Sequence, residues 1–244
     1  MAVMTTRVAS AEHVADNVIQ LRLVKPEGFT WKTGEFARVG LKIEGDEVFR
    51  AYSIGSAPAS ETVDFYIANV TGGILSPKLN QIKTGDSVLI DTEVGGMLLA
   101  DRLEAGGKDL WMFASGTGVS PFLAVLSDES ITSRFERLIL VHGVRTWNET
   151  GYVSRLVKRS PKLTVVACVT REKGAAVNER IPDALADGSL EKLAGITIEK
   201  GHSRVMLCGN PGMVKSVREA MKARGIVSPR GGKPGQLLAE NFWL

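Results

Sequence analysis

"LWMFASGTGVSP", residues 110–121, decides the architecture of the second half of the chain. It opens as an apolar run, passes through two glycines flanking a threonine, and ends on a Ser-Pro pair that starts "SPFLAVLSDE", a stretch with helical spacing. A continuous apolar run is the mark of a parallel strand buried on both faces. Three more such runs follow: "RLILVHG" (137–143), "LTVVACV" (163–169) and "RVMLCG" (204–209). The helical stretches "TGYVSRLVKR" (150–159) and "GMVKSVREAMKARG" (212–225) alternate with them. Strands alternating with helices predict a doubly wound, Rossmann-like α/β domain with a parallel sheet over residues 110–244.

The first half has a different period. "VIQLRLV", "FARVGLKIEG", "VFRAYSI", "VDFYIANV" and "SVLIDTEV" alternate apolar and polar residues and are separated by Gly, Pro and Asp turns. Short alternating strands of this kind predict an antiparallel β-barrel or sandwich over residues 1–100. Between them, "SPKLNQI" reads as one short helix, with Ser76 as N-cap and Pro77 in its first position. "DRLEAGGKD", 101–109, reads as the linker between the two domains.

Composition narrows the function classes. Of 244 residues, 44% are hydrophobic and 23% charged, as in ordinary globular proteins. No apolar run approaches the ~20 residues that span a bilayer, and "MAVMTTRVASAEHVADNVIQ" lacks the pattern of a secretory signal. A cytoplasmic protein with no membrane partner is expected. Cys168 and Cys208 both sit in apolar runs, and His13, His142 and His202 are scattered, so no metal site is expected. The net charge of +3 comes without the dense basic stripe that nucleic acid requires. Lys215, Arg218 and Lys222 share a helix face, which is either solvated or steers an acidic partner.

In open parallel sheets, ligands bind beyond the carboxyl ends of the strands. The first of the four runs leads into Gly116-Thr117-Gly118, where glycines admit a close ligand and a helix start offers free N–H groups. The second ends in Gly143-Val144-Arg145 and the third in Thr170-Arg171. An NAD site places an acidic residue near the second strand end; an arginine there suits a 2′-phosphate. The fourth ends in Gly209-Asn210-Pro211-Gly212-Met213, another Gly-rich turn opening a helix. Two arginines at adjacent strand ends, between two such turns, point to a dinucleotide-phosphate site. In the first half, "FRAYSIGSAP" (49–58) aligns Arg50 and Tyr52 on one face of a strand and Ser53 on the other. Alone, that pattern also fits a barrel strand with a snorkelling arginine and a half-buried tyrosine.

"RAYS", "GGILSPKL", "ASGTGVSPFL", "VHGVR", "CVTRE", "ERIPDAL", "MLCGNPGMV" and "AENFWL" together resemble the ferredoxin/flavodoxin–NADP reductases, more narrowly those of bacterial type. The resemblance runs from about residue 5 to the C-terminus, with the motifs in the family's order and spacing. It implies non-covalent FAD on the barrel and NADP(H) as substrate on the α/β domain. In the RxYS strand it gives Arg50 to the FAD pyrophosphate, Tyr52 to the isoalloxazine and Ser53 to the neighbourhood of flavin N5, with Ala51 between them. Ile74, Leu75 and Ser76 match the second pyrophosphate contact, Tyr66 a flavin-side aromatic, and Thr117 the residue touching both cofactors. Arg145, Arg171 and Arg180 match the 2′-phosphate clamp, and Cys208 the cysteine beside the nicotinamide. Ser53, Tyr52 and Cys208 are thus the candidate catalytic residues. Phe242 and Trp243 are implied to return to the flavin or its adenine.

The implied activity is transfer of a hydride between NADP(H) and FAD, with single electrons exchanged with ferredoxin or flavodoxin, in a monomeric electron-transport enzyme. The alternative is the reductase component of an oxygenase or a free flavin reductase, which shares this two-domain plan. Two cysteines leave no room for an iron–sulfur domain within this chain. A non-catalytic nucleotide-binding module is a rival of another class, and a yellow purified protein separates the two.

Overall fold

In the computed structural model, which describes residues 3–153 and 160–242, the alternating segments of the first half form six antiparallel strands. These are β1 (Val3–Ala15), β2 (Val18–Val24), β3 (Phe36–Ile43), β4 (Asp46–Ser53), β5 (Thr62–Ala68) and β6 (Ser87–Asp91), in the order β4-β3-β6-β1-β2-β5. The period of two is clearest in β5, where Val63, Phe65 and Ile67 are fully buried and their neighbours are not. They pack with Leu21, Leu23, Val39, Ile90 and Trp31 into one core. The two outer strands meet where Gly55 N–H donates to Asp64 O at 2.8 Å, rolling the sheet into a barrel.

Two features of this half depart from the sequence expectation. β1, thirteen residues long, pairs with both β2 and β6, yet no strand is predicted there. Much of it is exposed and its register shifts twice, between Val8 and Ser10 and between His13 and Ala15, so its alternation is blurred. The short helix α1 spans Ser76–Leu79 with Leu75 at its N-cap, so Ser76 is not the cap. The Ser76 hydroxyl instead accepts the Val70 N–H at 3.1 Å, closing the preceding turn rather than the helix end.

The second half forms five strands, β7 (Asp109–Ser115), β8 (Arg137–Val144), β9 (Leu163–Val169), β10 (Ser203–Gly209) and β11 (Leu237–Asn241), all parallel in the order β11-β10-β7-β8-β9. Helices α2 (Ser120–Ser127), α3 (Glu129–Thr132), α4 (Ile181–Ala186), α5 (Ser189–Ala194) and α6 (Pro211–Ala223) join or flank them. The strands are apolar on both sides because both sides are covered. Met112, Leu140 and Met206 face one core with Phe122, while Trp111, Ile139 and Leu207 face another with Val217 and Met221. β11 is not predicted as a strand; its short run is recruited by pairing with β10. The helix expected over 150–159 lies mostly outside the described residues, though 151–153 are helical. Among the described residues, no helix is long and apolar enough to cross a membrane.

The segment read as the linker, 101–109, is held by hydrogen bonds to the α/β half. The Glu104 N–H donates to Gly235 O at 2.8 Å, and Leu103 bridges Gly235. Arg204 of β10, only 3% exposed, donates from Nε to Glu104 O (2.5 Å), from Nη2 to Ala105 O (2.6 Å) and from Nη1 to Ser203 O (3.0 Å). A buried guanidinium is tolerable only with such a set of acceptors, and the same bonds satisfy carbonyls that no strand pairs. Arg204→Met should keep the apolar stem and leave those carbonyls unpaired, costing about 2–4 kcal/mol in denaturant unfolding. A loss under about 0.5 kcal/mol would mean the linker holds without this anchor.

Candidate cofactor site at the seam of the two sheets

From β7 the chain runs outward through β8 and β9, then returns to β10 on the other side of β7. The crevice beyond the carboxyl ends of β7 and β10 is therefore the switch point where this architecture binds ligands. The Gly-rich turn is a 3-10 turn, Gly116–Val119, running straight into α2. At Gly118 a Cβ would lie 2.4 Å from Cys208 O and 2.8 Å from Gly209 Cα, so only glycine lets the turn rest on β10. Gly116, at φ +54°, has open space where a side chain would stand.

The barrel reaches this turn through a hydrogen bond: the Ser120 hydroxyl, at the start of α2, donates to Ser53 O at 3.0 Å. The RAYS strand thus ends against the nucleotide-side turn. Arg50 and Ala51 are exposed, Tyr52 is half-buried and Ser53 buried. Burial pushes the Tyr52 phenol up to about 12, with the Arg50 guanidinium partly opposing, so the tyrosine is neutral at physiological pH. Nearby, Ile74 is exposed while Leu75 and Ser76 are buried. The bonds of that turn begin with Lys78 N–H to Leu75 O, so among the described residues the N–H groups of Ile74, Leu75 and Ser76 find no internal acceptor. An exposed guanidinium, of which Nη1 donates to Phe49 O at 2.7 Å, and free backbone N–H groups are a donor set suited to a diphosphate.

Tyr66 does not offer an open face. Its ring stacks on Tyr152 of the α/β half at 5.4 Å, and a Cβ on Gly55 would sit 2.7 Å from it. Its hydroxyl accepts from Gln20 Nε2 at 3.0 Å. Tyr152 in turn meets the edge of His142, whose Nε2 lies 3.0 Å from Gly116 O.

At the rim, β8 and β9 stay paired past their ends: Thr170 N–H donates to Val144 O (3.1 Å) and Arg171 N–H to Arg145 O (2.9 Å). The backbones of Arg145 and Arg171 are therefore joined at the strand ends, with Thr170 the register partner of Arg145. Arg145 is also tied to Glu149, through its N–H at 2.8 Å and its Nε at 3.5 Å. Arg180 precedes α4, whose Ile181 packs over Gly143, so it shares the same rim. In the fourth turn Asn210 is a helix cap: its Oδ1 accepts from Gly212 N–H (2.9 Å) and Met213 N–H (3.3 Å), and its own N–H donates to Ser115 Oγ (2.8 Å). Two N–H groups expected to face a ligand, beyond the donor-less Pro211, are thereby engaged within the protein.

Cys208 is fully buried, and burial with Glu240 behind it pushes its thiol well above the ordinary value. It is a neutral thiol against the turn. Glu240, opposite it on β11, accepts from Met97 N–H at 3.0 Å, and burial raises its carboxyl. Phe242 donates its N–H to Gly209 O at 2.9 Å and packs against the same core as Tyr66, so the tail is docked there; Trp243 lies outside the described residues.

Residues 5–97 match the profile of the oxidoreductase FAD-binding domain and residues 112–219 that of the oxidoreductase NAD-binding domain. The chain is 33% identical to the ferredoxin–NADP reductase of Pseudomonas aeruginosa, over 98% of this chain and 97% of that one. It is 34% identical to the flavodoxin/ferredoxin–NADP reductase of Escherichia coli, over 98% of each. The chain belongs to the ferredoxin/flavodoxin–NADP reductase family. A crystal structure of a ferredoxin NADP+ reductase from Neisseria gonorrhoeae, with bound FAD and NADP, superposes with a TM-score of 0.92 at 30% identity, covering 99% of each chain.

Sequence reasoning missed Ser120, His142, Tyr152 and Glu240 at this seam. Ser120 and His142 stood within quoted motifs, "GTGVSP" and "VHGVR", but were passed over for the glycines and Arg145 beside them. Glu240 carried the one available signal, a carboxylate directly after the apolar "LLA". Gly118→Ala should force the turn off β10. We expect a loss of about 1–3 kcal/mol in stability and weakened FAD retention, read by thermal unfolding and by the flavin-to-protein absorbance ratio; an unaltered protein would contradict the close contact.

Proposed function

We propose that the chain is a FAD-dependent reductase that exchanges a hydride with NADP(H) and passes single electrons to or from a ferredoxin or a flavodoxin. The observation that carries this reading is the 3.0 Å bond from Ser120 to Ser53 O, which joins the flavin-side strand and the nucleotide-side turn into one crevice. In the reading, residues 1–100 are the flavin domain, 110–244 the NADP domain and 101–109 the link, and the enzyme works as a cytoplasmic monomer.

FAD, when bound, supplies the exchange between two-electron and one-electron chemistry. The protein holds it: Arg50 and the N–H groups of Ile74, Leu75 and Ser76 take its two phosphates, and Tyr52 lays a neutral ring along the isoalloxazine. Ser53 and Thr117 line the reacting edge from either side of the seam, and Tyr66 braces it from behind. Cys208, a neutral thiol, brings no negative charge to the position where nicotinamide delivers hydride. Phe242 closes the flavin side and excludes water. Arg145, Arg171 and Arg180, with Gly143, Val144 and Thr170 beneath them, receive the 2′-phosphate, while the Gly209–Met213 turn borders the rest of the dinucleotide. Two arginines at adjacent strand ends, their backbones joined by the Arg171 N–H to Arg145 O bond, favour NADPH over the NADH expected of an oxygenase reductase.

Arg50→Ala should give a folded protein depleted of flavin, measured as FAD per polypeptide after gel filtration; full occupancy would remove the diphosphate role. Arg145→Ala and Arg171→Ala should each weaken NADPH roughly tenfold or more, from a charge-assisted pair of ~1.5–3 kcal/mol, and leave NADH turnover nearly unchanged. Equal losses with both nucleotides would mean the clamp lies elsewhere.

A further inference from the structure

The Gly116–Gly118 turn is anchored from three directions. Gly118 abuts Cys208 on β10, Ser120 reaches Ser53 O on β4, and Gly116 O is held from β8 by His142 Nε2 at 3.0 Å. The first two anchors are a backbone contact and a hydroxyl; the third is a titratable ring. His142 is 1% exposed, and its Nδ1 has no hydrogen-bond partner. A carbonyl oxygen only accepts, so the proton sits on Nε2 and Nδ1 is bare. A bare acceptor in an apolar pocket costs stability, and the fold keeps that cost at a ring that touches the turn.

The ring is braced from the barrel. Its edge meets Tyr152 at 6.2 Å between centroids, with the planes at 70°, and Tyr152 stacks on Tyr66. On its own sheet it lies between Ala114 of β7 and Ala167 of β9, which bring no charge. The titratable groups around it are Tyr152, Tyr66 behind it, and Glu149, whose carboxylate is engaged by Arg145.

We propose that His142 is a positioning residue for hydride transfer: as a neutral Nε2–H imidazole it fixes the Gly116–Thr117 turn at the junction of the two cofactors. This rests on the reading, given under Proposed function, that both cofactors meet at that turn. Burial keeps the ring neutral, drawing its pKa from 6.5 down to about 4, against the opposing pull of the Gly116 bond and Glu149. The folded state thus binds fewer protons than the unfolded one. The stabilising contribution is fully present above about pH 6.5, shrinks below it, and is gone once the pH has fallen through about 4.

Three measurements test this: single-turnover flavin reduction at saturating NADPH, FAD content with NADPH affinity, and long-range 1H–15N spectra of the His142 ring. His142→Leu keeps the volume and loses the donor, while His142→Gln keeps an N–H at similar reach. A shift of the turn by a fraction of an ångström should slow hydride transfer in the Leu variant about 10- to 100-fold, with FAD content and NADPH affinity within about threefold of wild type. The Gln variant should recover to within about threefold of the wild-type rate, and the wild-type ring should remain the neutral Nε2–H tautomer down to about pH 5. A Leu variant that is fully flavinated and transfers hydride at the wild-type rate overturns the proposal, as does a wild-type ring that is protonated at Nδ1 or titrates near its ordinary value. If the Leu variant does not fold, the Gln variant and the spectra decide: a Gln variant slower by tenfold or more, with its flavin intact, also overturns it. If instead wild-type protein takes up no FAD or accepts no hydride from NADPH, the functional reading fails, and the tautomer measurement still judges the brace.

Discussion

The closeness of two backbones governs this molecule. Gly118 lies so near Cys208 that no side chain fits between them, and this contact sets the distance from the turn after β7 to the end of β10. Everything that meets at the seam is referred to that distance. α2 starts from the turn and presents Ser120 to the barrel; β11 pairs along β10 and carries Glu240 and Phe242 to the same crevice. A looser turn would separate the flavin-side strand from the nucleotide-side sheet, and hydride transfer depends steeply on such separations.

The electrostatics of the crevice follow from its burial. The groups packed around the seam are neutral at physiological pH: Tyr52 and Tyr152 have phenols pushed up by burial, Cys208 is a thiol, and His142 is an unprotonated imidazole. The charges stand at the periphery, with Arg50 on one side and Arg145 and Arg171 on the other. Low polarity at the centre and cations at the rim suit a ligand that is flat and apolar in the middle with phosphates at its ends. Burial likewise pushes the Cys168 thiol up to about 12, so both cysteines are neutral thiols.

Much of the fold was legible because burial repeats along the chain. The four apolar runs are β7 to β10 within a residue or two, and "VIQLRLV" and "LTVVACV" coincide with β2 and β9. What escaped was structure made by partners rather than by pattern. β1 alternates poorly because much of it faces water, and β11 becomes a strand by pairing with β10. In the site, the glycines and arginines announced themselves through conformation and charge at strand ends. His142 and Tyr152 did not, because their roles depend on contacts between segments that are distant in sequence. The cap falls at Leu75, one residue before Ser76; a serine before a proline fits a helix cap as well as it fits the turn that Ser76 actually closes.

The central claim is that one crevice holds FAD against a site selective for NADPH. It is tested most directly by mixing purified protein anaerobically with 4-deuterated or unlabelled NADPH and following the flavin absorbance. The account predicts a yellow protein whose flavin bleaches with a primary isotope effect, and about a hundredfold or more faster with NADPH than with NADH at equal low concentration, as two arginine–phosphate contacts imply. A protein that binds no FAD, or whose flavin is reduced equally by both nucleotides, would contradict it.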